Sequence, residues 1–112
     1  MYRGKGNQVA VAIANGGTTS AAIPVHGYAQ FGLIMPAALT STAITFTACQ
    51  SATGTFMPVY DSDGTAVSVA VAASRALGLA GSEADALAPW PFIKLVCGSA
   101  EGAARTIQLC MK

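Results

Sequence analysis

The feature that most constrains this chain is the recurrence of short alternating runs, each cut off by Gly, Pro, Asn or Asp. Residues 42–50 show it best: Ile44, Phe46 and Ala48 fall on one side of an extended chain, and Thr45, Thr47 and Cys49 on the other. Strand side chains point to alternate faces, so this run predicts a half-buried strand with one polar face. Comparable runs occupy residues 8–14, 20–25, 28–35, 55–60, 65–71, 92–97 and 105–111. The turns between many of them are Asn15-Gly16-Gly17, Ser51-Ala52-Thr53-Gly54, Asp61-Ser62-Asp63-Gly64 and Gly98-Ser99. Such turns are too short for the crossovers that parallel strands require. The pattern therefore predicts an all-β fold, an antiparallel β-sandwich of jelly-roll-like build with about eight or nine strands.

Local exceptions refine that picture. Pro24 and Pro58 lie inside strand-like runs. Proline has no N–H to donate to a ladder, so both runs belong at sheet edges. Residues 72–77 favour helix on propensity, but their surroundings predict a corner and a strand that ends before Gly81. Residues 82–87 form the one expected helical turn, with Ser82 as its cap and Glu83 and Asp85 as early acids. It stops at Pro89-Trp90-Pro91. At 112 residues the chain reads as one domain, 1–112, with residues 1–7 as an extended N-terminal arm.

Only 10% of the residues are charged, while 53% are hydrophobic. An ordinary soluble domain carries roughly 25% charged residues. Apolar side chains left over once a core is filled mark interfaces, so much of the surface is expected to be covered by other chains. The net charge of +1 gives no steering toward nucleic acid or an acidic membrane. No apolar run approaches the ~20 residues of a membrane span. Arg3 and Lys5 precede a short apolar stretch, residues 9–14, as in a secretion signal. That stretch alternates and leads into a turn, which predicts a strand and no secretion signal.

Catalytic and metal chemistry find little support. Cys49, Cys97 and Cys110 are an odd set without a C-x-x-C pair, so reduced thiols are expected, with Cys97 in the core and the other two facing outward or toward a partner. His26, the single histidine, has no carboxylate or thiol near it in sequence and reads as a loop residue. Asp61 and Asp63 resemble the start of a calcium loop, but Thr65, Val67 and Val69 follow where ligands belong. Glu83 and Asp85 read as solvated loop acids, and Gly16-Gly17 fits no phosphate-binding pattern. Neither an enzyme nor a cofactor, metal or small-molecule substrate is expected. Trp90, held between two prolines, is the sharpest single feature and is expected either to close the sandwich or to anchor a partner.

Several phrases resemble small structural proteins of tailed bacteriophages and prophages. They are Gly32-Leu33-Ile34-Met35-Pro36-Ala37-Ala38-Leu39 with Thr42-Ala43-Ile44-Thr45-Phe46-Thr47-Ala48, and Val59-Tyr60-Asp61-Ser62-Asp63-Gly64 with Val67-Ser68-Val69-Ala70-Val71. Ile93-Lys94-Leu95, Gly98-Ser99 and Arg105-Thr106-Ile107-Gln108-Leu109 complete the likeness, which runs from residue 20 to the end. It implies a capsid cement or decoration protein, made in the bacterial host cytoplasm and placed on the capsid surface of the virion. The implied partners are the major capsid protein and copies of the chain itself, commonly as a homotrimer; nucleic acid and membrane are not expected partners. Tyr2, Arg3, Lys5 and Trp90 are the expected contact residues. The phrases Ala43-Ile44-Thr45-Phe46 and Arg75-Ala76-Leu77-Gly78-Leu79 are also similar to galactose-binding-like (discoidin) sandwiches. That likeness implies a carbohydrate-binding module of a tail or fibre, with Trp90 and His26 as its contacts.

Overall fold

The alternation of the sequence is realised as two antiparallel sheets packed face to face. The computed structural model describes residues 6–112, so Tyr2, Arg3 and Lys5 lie outside the described residues. In chain order the elements are β1 (Asn7–Ile13), β2 (Ile23–Pro24), β3 (Phe31–Ile34), β4 (Ala43–Cys49), β5 (Met57–Pro58), β6 (Ser68–Ala70), β7 (Ala76–Gly78), α1 (Gly81–Leu87), β8 (Phe92–Cys97) and β9 (Arg105–Met111).

The first sheet has the order β1-β9-β3-β7 and the second β2-β8-β4-β5, with β6 also on β4. β6 covers Ala43, Ile44 and Thr45, while β5 covers Thr47 and Ala48. Between them the Val59 N–H donates to the Phe46 carbonyl at 3.0 Å, and the Val67 N–H to the Val59 carbonyl at 3.0 Å. β5 and β6 are thus two halves of one edge, opened by a hairpin whose tip is Asp61-Ser62-Asp63-Gly64. Counted as one strand, they leave four strands in each sheet, with the first strand beside the last. That is the double-sheet connectivity of a jelly roll, in which each successive strand passes to the other sheet except at the step from β4 to the β5/β6 edge.

Burial follows strand phase. Ile44, Phe46 and Ala48 of β4 and Ile93, Leu95 and Cys97 of β8 are buried from the second sheet. Val11, Ile13, Phe31, Leu33, Ile107, Leu109 and Met111 are buried from the first. Fully burying one such side chain contributes ~1.5–3 kcal/mol. Pro24 and Pro58 sit in edge strands, as a residue without an N–H must. The corner before β7 turns at Ser74, which adopts φ 60°. No helix among the described residues is long and apolar enough to cross a membrane.

Two expectations need correction. Asn7 is not part of an arm: it opens β1 and pairs with Met111. Ser82 does not cap α1. The cap is Ala80, whose N–H donates to the Glu83 carboxylate at 2.8 Å. A glutamate at the third helical position can reach back to the cap amide, which lets the helix begin ahead of the serine.

Candidate docking surface

The main exposed apolar cluster lies where β4 ends. Met57 is the cross-strand partner of Ala48, whose side chain faces the core, so Met57 stands on the same inner side of the sheet. The sandwich ends there, and Met57 is left 65% exposed. Tyr60, 57% exposed, follows two residues after Pro58, and Trp90, 38% exposed, closes the other flank. With Cys49, Gln50 and Thr55 they line a groove of about 580 Å³. Its floor loop folds tightly: a Cβ at Gly54 would come within 2.5 Å of the Cys49 Sγ and 2.9 Å of the Ser51 Oγ, so a larger residue there requires both side chains to move.

Trp90 is fixed as well as exposed. Its indole N–H donates to the Ala86 carbonyl at 2.9 Å, and its backbone N–H to the Leu87 carbonyl at 3.2 Å. Both acceptors belong to the last turn of α1, so the helix and the two prolines together orient the ring. With the N–H already used, the ring offers the groove its apolar face. Rigid aromatic anchors of this kind carry much of the energy in protein contacts.

The opposite end of β4 is built in another way. Glu101 is 1% exposed and accepts four hydrogen bonds: from the Thr40 N–H at 2.8 Å, the Ser41 N–H at 2.9 Å, the Ser41 hydroxyl at 2.6 Å and the Arg105 Nε at 2.9 Å. Its backbone joins the first turn, accepting from the Gly16 N–H at 2.7 Å and donating to the Gly17 carbonyl at 3.1 Å. Burial pushes the carboxyl pKa up, but the bonds from Ser41, Thr40 and Arg105 outweigh it and hold the group ionised, at about 2. Burial also raises the Cys97 thiol, against a hydrogen bond with Ser41 and together with the nearby Glu101 charge. The carboxylate has its acceptor positions filled by the protein itself, which makes it a structural clamp.

His26 is exposed beside Gly27, apart from the groove. Asp61 accepts the N–H groups of Asp63 and Thr65 at 2.9 and 3.0 Å, which makes a self-capped turn. Among the described residues no group of three or more His, Cys, Asp or Glu is placed to hold a metal. Cys97 is buried, and Cys49 and Cys110 are half-buried on outer faces. Of the four expected contact residues, Trp90 is the one described, and it lines the groove. Met57 and Tyr60 were not foreseen there; their mark in the sequence is a Met and a Tyr bracketing an edge proline, with nothing local to show that they are exposed. Glu101 was not foreseen either; its local mark is an acid four residues ahead of Arg105 in a Gly/Ala loop.

No protein-family pattern matches this sequence, and no curated protein matches it. Solved structures that share its fold include two from prophages. The SPBc2 prophage-derived protein YomS aligns over 99% of this chain and 97% of its own, with a TM-score of 0.56 and 10% identity. The PBSX exported protein XepA aligns over 99% of this chain and 39% of its own, with a TM-score of 0.52 and 15% identity. The chain is therefore an all-β sandwich whose structural neighbours include proteins of prophages.

Proposed function

We propose that this chain is a non-enzymatic structural protein of a phage virion, a capsid cement or decoration protein that docks on capsid subunits through the groove of Met57, Tyr60 and Trp90. The observation that carries this proposal is that groove: an exposed, rigidly held apolar cluster at one end of a sandwich whose other end is sealed. The full-length fold likeness to the prophage-derived YomS supports a phage origin. The low charge of the chain supports a surface that is covered in use. Each copy would bind weakly, and repetition over a shell would multiply weak contacts into firm attachment.

The test is co-sedimentation of the purified protein with DNA-free heads of the phage that encodes it. Saturable binding is expected, and it should be lost in a Met57→Asp, Trp90→Ala double variant that keeps its fold. Wild-type protein that stays in the supernatant at every concentration overturns the proposal. A second function is favoured by one observation: Gln50, Ser51 and Thr55 add polar groups beside the two aromatic rings. That combination suits a carbohydrate-binding module, since sugar faces stack on aromatic rings while polar groups fix their hydroxyls. Quenching or shift of Trp90 fluorescence by one glycan class from a broad panel would favour it over docking on protein.

A further inference from the structure

The sheet edges differ in how they are protected. An open edge presents unpaired N–H and C=O groups, and proteins blunt it with proline, charge, bulges or shortness. β2 carries Pro24, β5 carries Pro58, and β7 has three residues, one of them Gly78. β1 has none of these devices. It is seven residues long, Asn-Gln-Val-Ala-Val-Ala-Ile, without charge, proline or glycine. Among the described residues it pairs with β9 alone.

We propose that β1 is a self-association edge, which pairs antiparallel with β1 of a second copy about a two-fold axis through Ala10. A two-fold contact sets a surface against itself, so it needs self-complementarity. The β1 sequence has it. With Ala10 opposite Ala10 of the copy, Val9 meets Val11, Gln8 meets Ala12 and Asn7 meets Ile13. Every pair keeps its own face: Val9 and Val11 lie on the inner side, Gln8, Ala10 and Ala12 on the outer. Like charges directly opposite each other in a sheet are destabilising. The outer face of this sheet carries Gln8, Ala10, Ala12, Thr106, Gln108 and Ile34, all neutral, so nothing opposes its own copy. The two four-stranded sheets would join into one continuous sheet. The mode is β-strand addition, with backbone bonds for affinity and small side chains for close approach.

This pairing yields a dimer by itself; a trimer requires a different, head-to-tail contact. It rests on the edge alone and not on the phage assignment, so heads play no part in its test. Sedimentation velocity over a concentration series should show wild-type mass rising twofold. Ala10→Lys and Ala10→Glu, at an exposed position, should each remain at monomer mass because like charges face each other across the axis. Mixing the two variants should restore the twofold mass. Hydrogen exchange supplies a readout free of any substitution: β1 amides of the wild type should gain protection as concentration rises. Wild-type mass that never leaves the monomer value overturns the proposal. So does unchanged self-association of both variants, or β1 exchange that ignores concentration.

Discussion

The two ends of β4 are built on opposite principles. At its start, Ser41 and Thr40 wrap a buried carboxylate, and the loop of residues 98–104 is tied to the turn at Gly16 and Gly17. At its end, Met57, Tyr60 and Trp90 stand open around a groove. β8 runs antiparallel to β4 and connects the same two ends, from Phe92, two residues after Trp90, to Cys97. One pair of strands thus holds a sealed end and an open end apart. Polar groups without water must be satisfied internally, whereas apolar groups in water gain by being covered. The sealed end adds stability through satisfied buried polar groups; the open end is where contact with another molecule gains most.

The largest effect is expected from Glu101→Ala, which leaves the Thr40 and Ser41 amides and Arg105 without their acceptor. It should cost about 3–5 kcal/mol in denaturant unfolding, as loss of one partner of a buried ion pair does. A loss below ~1 kcal/mol would mean that water replaces the clamp. Acid should act next, through the same group. The folded pKa of about 2 lies below the ordinary carboxyl value of 4.5, so Glu101 contributes fully above that value. The contribution is lost as pH falls through about 2, on the order of 3 kcal/mol in all. In Glu101→Gln this part of the acid sensitivity should vanish, which a pH series of unfolding midpoints will show.

At the open end the expected pattern is reversed. Trp90→Ala should remove head binding and cost roughly 2 kcal/mol in unfolding, since more than half of the residue is covered although the ring is partly in solvent. A large loss of stability with binding intact would mean that Trp90 closes the sandwich instead. The smallest effect concerns the outer face of β4, where the Thr47 Oγ1 is buried without a hydrogen-bond partner. Thr47→Val keeps the shape and removes the unsatisfied hydroxyl, and should be neutral or stabilising by up to ~1 kcal/mol. Thermal denaturation of the pair would reveal it.

The sequence carried the strands well and the ends unevenly. Phe92–Cys97 and Arg105–Met111 were legible to the residue, because each alternates cleanly between turn signals. The antiparallel class was legible from turn lengths. Which strand lies beside which was not, since β1 meets β9 across almost the whole chain and no local pattern encodes that pairing. Trp90 stood out through its two prolines. Met57 and Tyr60 did not, because exposure at the mouth of a sandwich depends on where the partner sheet stops. Glu101 was invisible for a related reason: its amide partners Thr40 and Ser41 lie 61 and 60 positions away. Helix α1 shows the converse, a local rule misapplied. Ser82 looks like a cap until Glu83 is seen bonding the Ala80 amide.

The divided edge formed by β5 and β6 has a consequence for engineering. The hairpin between them is anchored by the Asp61 N–H to the Thr65 carbonyl at 2.9 Å, and its tip residues Ser62 and Asp63 point to solvent. Neither half of the edge relies on that tip for its pairing with β4. Exposed loop tips of this kind accept foreign segments. An epitope spliced between Ser62 and Asp63 would ride on the sandwich without entering it, and on a virion coated with this chain it would be presented in as many copies as the coat holds.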